Sequence, residues 1–439
     1  MKKSLFVLFC LLIVFDVFAA ENVLSLKLCE KVALTHSQEL QKMNNEILAA
    51  QKGADAVGTS LYPSILLEGG AQYMDISPNI KIDGLGNADL GGSLGYYSIG
   101  AGIYWTLFDA GLRNKNYDAA LKMKAAKQNQ IEIVKRQLIL SVRISYFKLI
   151  NSLSAYELLK EQLELSLSHN TDIKRAVSAG SKSKLDEVLS DSDVLIKRKQ
   201  LKTAMIMIIE AIENLNSLTG NLVRVNDSVF LKDTDFNFAP YDKPEYLLEE
   251  FLPNMNLMFD FNNPQISSFE IMSQYYNILS KAAFDAHYPS INVFAKTSYA
   301  VIDSEMINEN KILTSAGINL SMPIYQFGRI SSLSKQNEFL EQSQKISKEK
   351  MIEDLNRLFN YSKYKAAVLS SQTQIHQELI NQNKIAADMT YKSYLAGNIK
   401  FLDVQEMNLR VFESQFDEIN TKTQLLIQLA ILSSLGEIK

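Results

Sequence analysis

Asp403 and Glu406 are the two acidic residues whose spacing is most suggestive of a role in this chain. They lie three positions apart, so on a helix their carboxylates would share one face. Carboxylates that several chains bring together in a ring favour cations. The ordinary alternative is that acids in the first turns of a helix complement its dipole. We expect the first role for Asp403 and Glu406. We expect the second for Asp186, which has Ser183 three residues before it as a candidate helix cap.

The other residues capable of chemistry form no recognisable catalytic or metal site. We find no nucleophile paired with a base and no nucleotide-binding loop, so we expect neither an enzyme nor a cofactor. Cys10 and Cys29 are the two cysteines, and a net charge of -4 gives no hint of nucleic-acid binding. The four histidines are scattered without the spacing of metal ligands, and we expect no metal: His36, His169, His287 and His376.

The N-terminus has the pattern of a secretory signal peptide. Lys2 and Lys3 precede an apolar run over 5–15, and the small residues Ala19 and Ala20 follow. We predict a signal peptide over 1–19, with cleavage after Ala20 also possible. A membrane anchor is the alternative, but the run is shorter than the ~20 residues that a spanning helix needs. Removal of this segment takes Cys10 away. The cleavage site has no cysteine that could accept a lipid, so we expect no lipid anchor. The exported chain is then soluble or enters a membrane as β-strands.

The chain contains an internal repeat. Tyr62–Ser64 recurs as Tyr288–Ser290 at an offset of 288 − 62 = 226. Leu107–Gly111 recurs as Ile324–Gly328 at an offset of 328 − 111 = 217. A deletion of nine residues in one loop accounts for the change between the two registers. We therefore predict a first structural repeat over 20–220, a spacer over 221–262 and a second repeat over 263–439.

Each repeat begins with a helical stretch, which runs from Leu26 to Ser60 in the first copy. Two strands joined by a polar loop follow. The loop lies at about 75–97 in the first copy and at about 300–311 in the second. Residues alternate between apolar and polar most clearly over 98–108 and 315–324. This alternation is typical of an outer-membrane strand and also of a half-buried sheet in a soluble protein. Four strands cannot close a barrel, whereas twelve strands from three chains can.

A very long helical hairpin completes each repeat. The first long helix is predicted from Arg113 to Ala179 and its return helix from Leu185 to Leu218. At ~1.5 Å per residue the first would be ~100 Å long. The eight prolines leave 79–239 and everything after 323 free of proline, as long helices require. Helices of this length pack as coiled coils or as the wall of a helical tube, with a soluble bundle as the alternative.

These features together resemble the TolC family of outer-membrane efflux proteins over essentially the whole exported chain. The resemblance is carried by the repeated Tyr-Pro-Ser turn, by the strand end Leu107–Gly111 and by two helical tips. The tips read Ala176–Gly180 and Ser393–Gly397, and in each an acid lies six residues after the glycine.

The resemblance implies a mainly α protein with membrane β-strands. Three chains would form a twelve-stranded β-barrel continued by a periplasmic α-barrel, with the spacer in an equatorial domain. It implies a passive exit duct of a tripartite efflux or type I secretion system. A periplasmic adaptor and an inner-membrane transporter of the RND or ABC type would be its partners. A soluble periplasmic coiled-coil adaptor or scaffold is the alternative from another functional class.

The resemblance also assigns roles to the tips. Gly180 and Gly397 would mark the hairpin tips that contact the adaptor. Asp403, Glu406, Asp186 and Tyr394 would form the periplasmic gate and selectivity region. Some relatives carry an arginine two residues after the second tip glycine, where it helps to hold the tip closed. This chain has Ile399 there.

Overall fold

The computed structural model describes residues 24–76, 79–82, 86–89, 92–223, 238, 240–304 and 308–437. The predicted signal peptide and residues 224–237 of the predicted spacer lie outside these described residues. The chain divides into two compact units. One comprises Met1–Lys42, Ile131–Asn263 and Met351–Lys439, and the other comprises Met43–Gln130 and Pro264–Lys350.

Helices dominate the described chain, and the long strands lie in the second unit. The first part contains α1 Leu26–His36, α2 Gln38–Thr59, β1 Ser64–Ile76, β2 Asn79–Ile82, β3 Gly86–Asp89, β4 Gly92–Phe108, α3 Leu112–Ser178 and α4 Lys184–Thr219. It is followed by α5 Pro244–Phe251, a 3₁₀ helix Leu252–Asn256, β5 Met258–Phe259, α6 Pro264–Asp285, β6 Ser290–Ser304, β7 Asn308–Ser321, α7 Arg329–Leu395, α8 Phe401–Leu435 and β8 Gly436–Glu437. Within the described residues, no helix is both long and apolar enough to cross a membrane.

The same order of elements occurs twice. Helices α2 and α6 each have 22 residues, and α3 and α7 each have 67. The return helices α4 and α8 have 36 and 35 residues. The bounds of α3 and α4 lie within one residue of those predicted at each end. The agreement is close because glycine and serine signals mark these ends in the sequence.

The first helical stretch differs from the prediction, because Ser37 divides it into α1 and α2. The backbone of Ser37 is extended at φ −60° and ψ 114°, and its N–H donates to the Ala33 carbonyl at 3.0 Å. Its Oγ accepts a hydrogen bond from the Leu40 N–H at 3.2 Å. Serine side chains favour such caps over helix interiors, so one residue ends α1 and begins α2.

The two linking loops are shorter than predicted. Strand β1 pairs with β4 as far as Ile76 opposite Gly92, and β6 pairs with β7 as far as Asp303 opposite Asn308. Strands β2 and β3 form a further small hairpin. Backbone hydrogen bonds carry a ladder onward whatever the polarity of the side chains, so a polar composition was a poor guide to where the strands end.

The long strands form an antiparallel sheet in the order β1-β4-β6-β7. Alternation places apolar residues such as Ile65, Ile99 and Ile318 on one face, and all three side chains are exposed. The opposite face is polar: the Tyr104 hydroxyl donates to Glu68 Oε2 at 2.7 Å. Strands β1 and β7 are the edges. An exposed apolar face and two open edges both require a partner outside the single chain.

In the first unit, the predicted spacer pairs with both ends of the described chain. Leu24 bridges to Tyr241, and β5 pairs with β8. The fully buried Tyr146 of α3 donates through its hydroxyl to the Leu24 carbonyl at 2.6 Å. Asp242 Oδ2 accepts the Leu26 N–H at 2.8 Å. Close by, Cys29 is a buried free thiol whose pKa is raised to about 12 by burial and by the carboxylates around it.

Arg113 joins strand β4 to helix α3 in the second unit. Its Nε donates to Asp109 Oδ2 at 2.7 Å, and its two terminal nitrogens donate to the carbonyls of Ser60 and Thr106. Asp109 also accepts the backbone N–H groups of Gly111 and Arg113. In the second repeat, by contrast, the guanidinium of the exposed Arg329 donates to the Gln326 side chain.

We therefore predict that Arg113→Met destabilises the protein far more than Arg329→Met does. Loss of a partly buried cation with three acceptors should lower the free energy of unfolding by ~2–4 kcal/mol. Loss of an exposed contact should change it by less than about 1 kcal/mol. Denaturant unfolding of the purified protein in detergent measures both values. Equal effects would show that the Arg113 contacts do not set the geometry of this junction.

Candidate functional site: the two hairpin tips

The two hairpin tips lie in the first compact unit and share one backbone geometry. Gly180 and Gly397 have left-handed φ values of 76° and 84°. In the first tip the Gly180 N–H donates to the Val177 carbonyl, and the Ser181 N–H donates to the Ala176 carbonyl. The second tip makes the same two bonds one repeat later. This pair of bonds is the Schellman ending of a helix, which favours glycine at the left-handed position. The helix ending alone therefore explains why glycine occupies these two positions.

Asp186 caps the helix that follows the first tip. Its backbone N–H donates to Ser183 Oγ at 3.2 Å, and its carboxylate accepts the Ser183 N–H at 3.3 Å. This reciprocal pair is a capping box. Asp403 makes one half of the same arrangement, because its Oδ2 accepts the Lys400 N–H at 3.0 Å. A lysine side chain has no acceptor for the other half.

Asp403 and Glu406 are both exposed on α8. Glu406, however, accepts a hydrogen bond from Arg410 Nη2 at 2.8 Å, one helical turn further along. The positive charge of Arg410 therefore offsets part of the acidic character of this face.

Tyr394 packs between the two hairpins. It belongs to a cluster of buried side chains with Ile173 of α3 and with Phe401 and Val404 of α8. Its ring is 5.5 Å from that of Phe401. Within the described residues, its buried hydroxyl has no hydrogen-bond partner. Burial, helped by the nearby Asp186 carboxylate, raises the pKa of Tyr394 to about 12.

Lys182 connects the first tip directly to this cluster. Its Nζ lies 4.1 Å from the centre of the Tyr394 ring and donates a hydrogen bond to the Tyr394 carbonyl. We call this the tip contact. Lys182 occupies the same place in the first repeat as Ile399 in the second, since 399 − 182 = 217. The prediction singled out position 399 and missed the cation at its counterpart, although the repeat register contained the signal.

A second connection lies further from the tips. His169 of α3 is buried and stacks on the Tyr391 ring of α7 at 4.0 Å. The Tyr391 hydroxyl donates to Asp172 Oδ2 at 3.1 Å. Burial lowers the pKa of His169, against the opposing influence of the Asp172 and Asp193 carboxylates. We call this the histidine contact, and sequence spacing gave no sign of it.

Two of the histidines lie against other side chains. In the part of the chain that the structure describes, no group of three or more His, Cys, Asp or Glu residues is arranged to hold a metal ion. His169 instead stacks on an aromatic ring, and the Nε2 of His376 lies 3.2 Å from the Thr421 hydroxyl.

We predict that Lys182→Met loosens the tips. A cation–π contact and a charge-assisted hydrogen bond together stabilise this packing by ~1–2 kcal/mol, so amide exchange near 394–397 should accelerate by about tenfold. Hydrogen exchange measured by mass spectrometry tests this. Lys392→Met is the matched control, because the contact described for the Lys392 side chain is an exposed ion pair with Asp388, and its loss should change exchange little. Equal exchange in the two variants would refute the tip contact.

The histidine contact predicts a loss of stability on acidification. A lowered pKa means that the folded protein favours neutral His169, whereas the unfolded chain takes up a proton near pH 6.5. The stabilisation is complete above pH 6.5 and is lost as the pH falls from 6.5 towards the lowered pKa. Thermal unfolding across this range should show a smaller decline for His169→Phe, which keeps the stacking but cannot titrate. His287→Phe at an exposed position should decline like the unaltered protein, and an unchanged decline in His169→Phe would contradict the assignment.

Comparison with known proteins places this geometry in a family. The family model described as outer membrane efflux protein matches residues 31–221 and 261–436, one segment in each repeat. The outer membrane protein TolC of Salmonella enteritidis is 23% identical over 364 residues, which is 75% of this chain and 67% of TolC. TolC of Escherichia coli is 22% identical over 68% of this chain and 61% of its own length. The chain thus spans about two thirds of these relatives.

Solved structures show the same fold. The transmembrane channel CusC superposes with a TM-score of 0.75 at 16% identity, over 94% of this chain and 92% of CusC. The Campylobacter jejuni CmeC outer membrane channel gives 0.69 at 16% identity, over 95% and 86%. The alternative of a soluble adaptor is not favoured by these matches. With its twofold repeat, open-edged sheet and paired hairpin tips, the chain belongs to the outer membrane efflux protein family and is an outer-membrane exit duct.

Proposed function

We propose that three copies of this chain form one passive channel that completes a tripartite efflux or type I secretion system. The observation that carries the proposal is the four-stranded sheet, which has two open edges and an exposed apolar face. Three such sheets joined edge to edge supply twelve strands and leave no open edge. Lipid then covers the apolar face, and the polar face with Glu68 and Tyr104 lines the lumen.

The proposed organisation follows from this arrangement. Residues 1–19 direct export and are removed. Residues 221–262, together with the C-terminus, form an equatorial domain between the two repeats, supported by the pairing of β5 with β8. The helical hairpins extend into the periplasm in this proposal.

The hairpin tips are the proposed periplasmic gate. Gly180 and Gly397 present the turns that meet a periplasmic adaptor. Asp403 and Glu406 face the aqueous mouth as acidic groups, and Tyr394 acts by packing the hairpins together. Asp186 contributes through its helix cap and through its charge near Tyr394. An adaptor that displaces Lys182 from Tyr394 would release the tip contact and widen the mouth.

The remaining proposed partners supply the energy and the cargo. An inner-membrane transporter of the RND or ABC type drives export in this proposal and selects what is exported. Nucleic acid is not among the proposed partners.

We predict opposite changes in ion selectivity for two single substitutions on α8. Asp403→Asn removes one exposed charge per chain and should lower the preference for cations. Arg410→Gln removes the cation that offsets Glu406 and should raise it, because uncompensated carboxylates at a pore mouth favour cations. Reversal potentials of the detergent-purified protein in planar bilayers under a salt gradient measure both effects.

The control is Arg357→Gln, which removes an arginine of the same type from an exposed pair with Asp354 on α7. It should leave selectivity unchanged. Protein that purifies without detergent and never conducts would refute the channel. Conduction with unchanged selectivity in both variants would retain the channel and refute the acidic mouth.

A further inference from the structure

A cavity of about 430 Å³ lies in the first compact unit, between helix α3 of the first hairpin and helices α7 and α8 of the second. Sites that hold small molecules have volumes of ~300–1,000 Å³. We call this one the amide cavity, because three carboxamide side chains line it: Gln162 of α3 and Asn408 and Gln415 of α8. The histidine contact supplies another part of its wall through His169 and Tyr391.

Several polar groups of the amide cavity lack a partner within the chain. The Oε1 atom of Gln415 is buried and has no hydrogen-bond partner among the described residues. Gln162 and His169 are only 7% and 8% exposed, and the hydrogen bonds within the described chain include none from either side chain. A buried donor or acceptor that stays unpaired costs ~1–3 kcal/mol. Three such side chains around one cavity therefore indicate an occupant that supplies their hydrogen bonds.

The polar groups of the amide cavity suit a neutral occupant. A carboxamide offers both a donor and an acceptor, and so does a neutral imidazole. Burial lowers the pKa of His169 and so favours its neutral form. The charged side chains that line the cavity are exposed, namely Glu161, Lys384 and Asp388. A charged ligand would therefore enter without a buried counter-charge among the described lining residues, which is costly.

The rest of the wall is apolar. Leu165, Ala387 and Val411 lie beside the carboxamides, and Val411 is buried. A well-fitting ligand therefore needs apolar surface as well as hydrogen-bonding groups. A sugar that carries an acetamido group has both. Its amide can pair with a carboxamide through one donor and one acceptor, its hydroxyls can reach the imidazole, and its methyl group and ring C–H bonds are apolar.

We propose that the amide cavity binds a neutral acetamido sugar of one or two rings, which holds the two hairpins together. A ligand that hydrogen-bonds to Gln162 of α3 and to Gln415 of α8 at once stabilises the arrangement in which these helices are close. This inference rests on the proposed function, because separation of the hairpins is the movement that would widen the periplasmic mouth. The bound sugar therefore favours the closed mouth.

Isothermal titration calorimetry with N,N′-diacetylchitobiose tests the binding. The protein is purified in lauryldimethylamine oxide, because a detergent with a sugar head group would compete for the cavity. Gln162→Met keeps a side chain of similar length without the carboxamide, and it should weaken binding about tenfold through loss of a buried hydrogen bond. Gln137→Met is the matched control, because Gln137 is exposed on the same helix outside the cavity. Its affinity should equal that of the unaltered protein.

The choice of sugar provides a second control. Cellobiose is the same disaccharide with hydroxyls in place of the acetamido groups, and it should bind at least fivefold more weakly. If the unaltered protein binds neither sugar, water alone occupies the cavity and the proposal is wrong. Equal affinity in Gln162→Met would place the sugar elsewhere and would also overturn it. Equal affinity for cellobiose would refute the recognition of the acetamido group.

A further variant covers the case in which Gln162→Met does not assemble. Ala387→Phe reduces the volume of the cavity and leaves its carboxamides in place. It should abolish the binding of N,N′-diacetylchitobiose. Undiminished binding by this variant would overturn the proposal.

Planar bilayers separate this inference from the proposed function. A saturating concentration of N,N′-diacetylchitobiose on both sides should lower the open probability of the unaltered protein at least twofold. It should leave Gln162→Met unchanged at the same concentration. Binding without any change in opening would refute the joining of the hairpins. A protein that never conducts would instead refute the channel, and calorimetry would still decide whether the amide cavity binds the sugar.

Discussion

The open edges of the four-stranded sheet are the constraint on which the rest of this structure depends. Every backbone N–H and C=O along β1 and β7 that faces away from the sheet needs a partner, and in a lipid environment water cannot supply it. One chain contributes too few strands to close the sheet on itself. In the proposed trimer, the sheets of neighbouring chains meet at these edges. The separate polar and apolar faces of the sheet are consistent with that requirement.

At the hairpin tips in the first unit, side-chain contacts join the two hairpins. The two tips have the same Schellman ending, yet the groups around them differ. The first repeat supplies the cation Lys182 and the buried His169, and the second supplies the aromatic rings of Tyr391 and Tyr394. Duplication thus gave one backbone twice, and divergence of single side chains made the two copies complementary.

The sequence predicted the features that depend on neighbouring residues. Alternation identified the long strands, and the glycines at 180 and 397 identified the tips, because both patterns reflect local backbone geometry. The break at Ser37 was missed, since one hydroxyl outweighed a continuous helical pattern. Lys182 and Tyr394 are 212 positions apart, and no local pattern brings them together. The ion pair of Glu406 with Arg410 has the spacing of four residues that favours such pairs on a helix, so the sequence contained this signal, and it was missed.

The tip contact has a consequence for cooperativity. Lys182 and Tyr394 belong to the same chain, so breaking their contact in one subunit requires no movement in the next. In the proposed trimer the three contacts can then open independently, each with its own equilibrium, and partly open mouths with one or two released subunits are allowed states. This contact provides no coupling between subunits, so concerted opening needs contacts elsewhere or a partner that binds several tips. The degree of opening is in that case graded by the number of tips engaged.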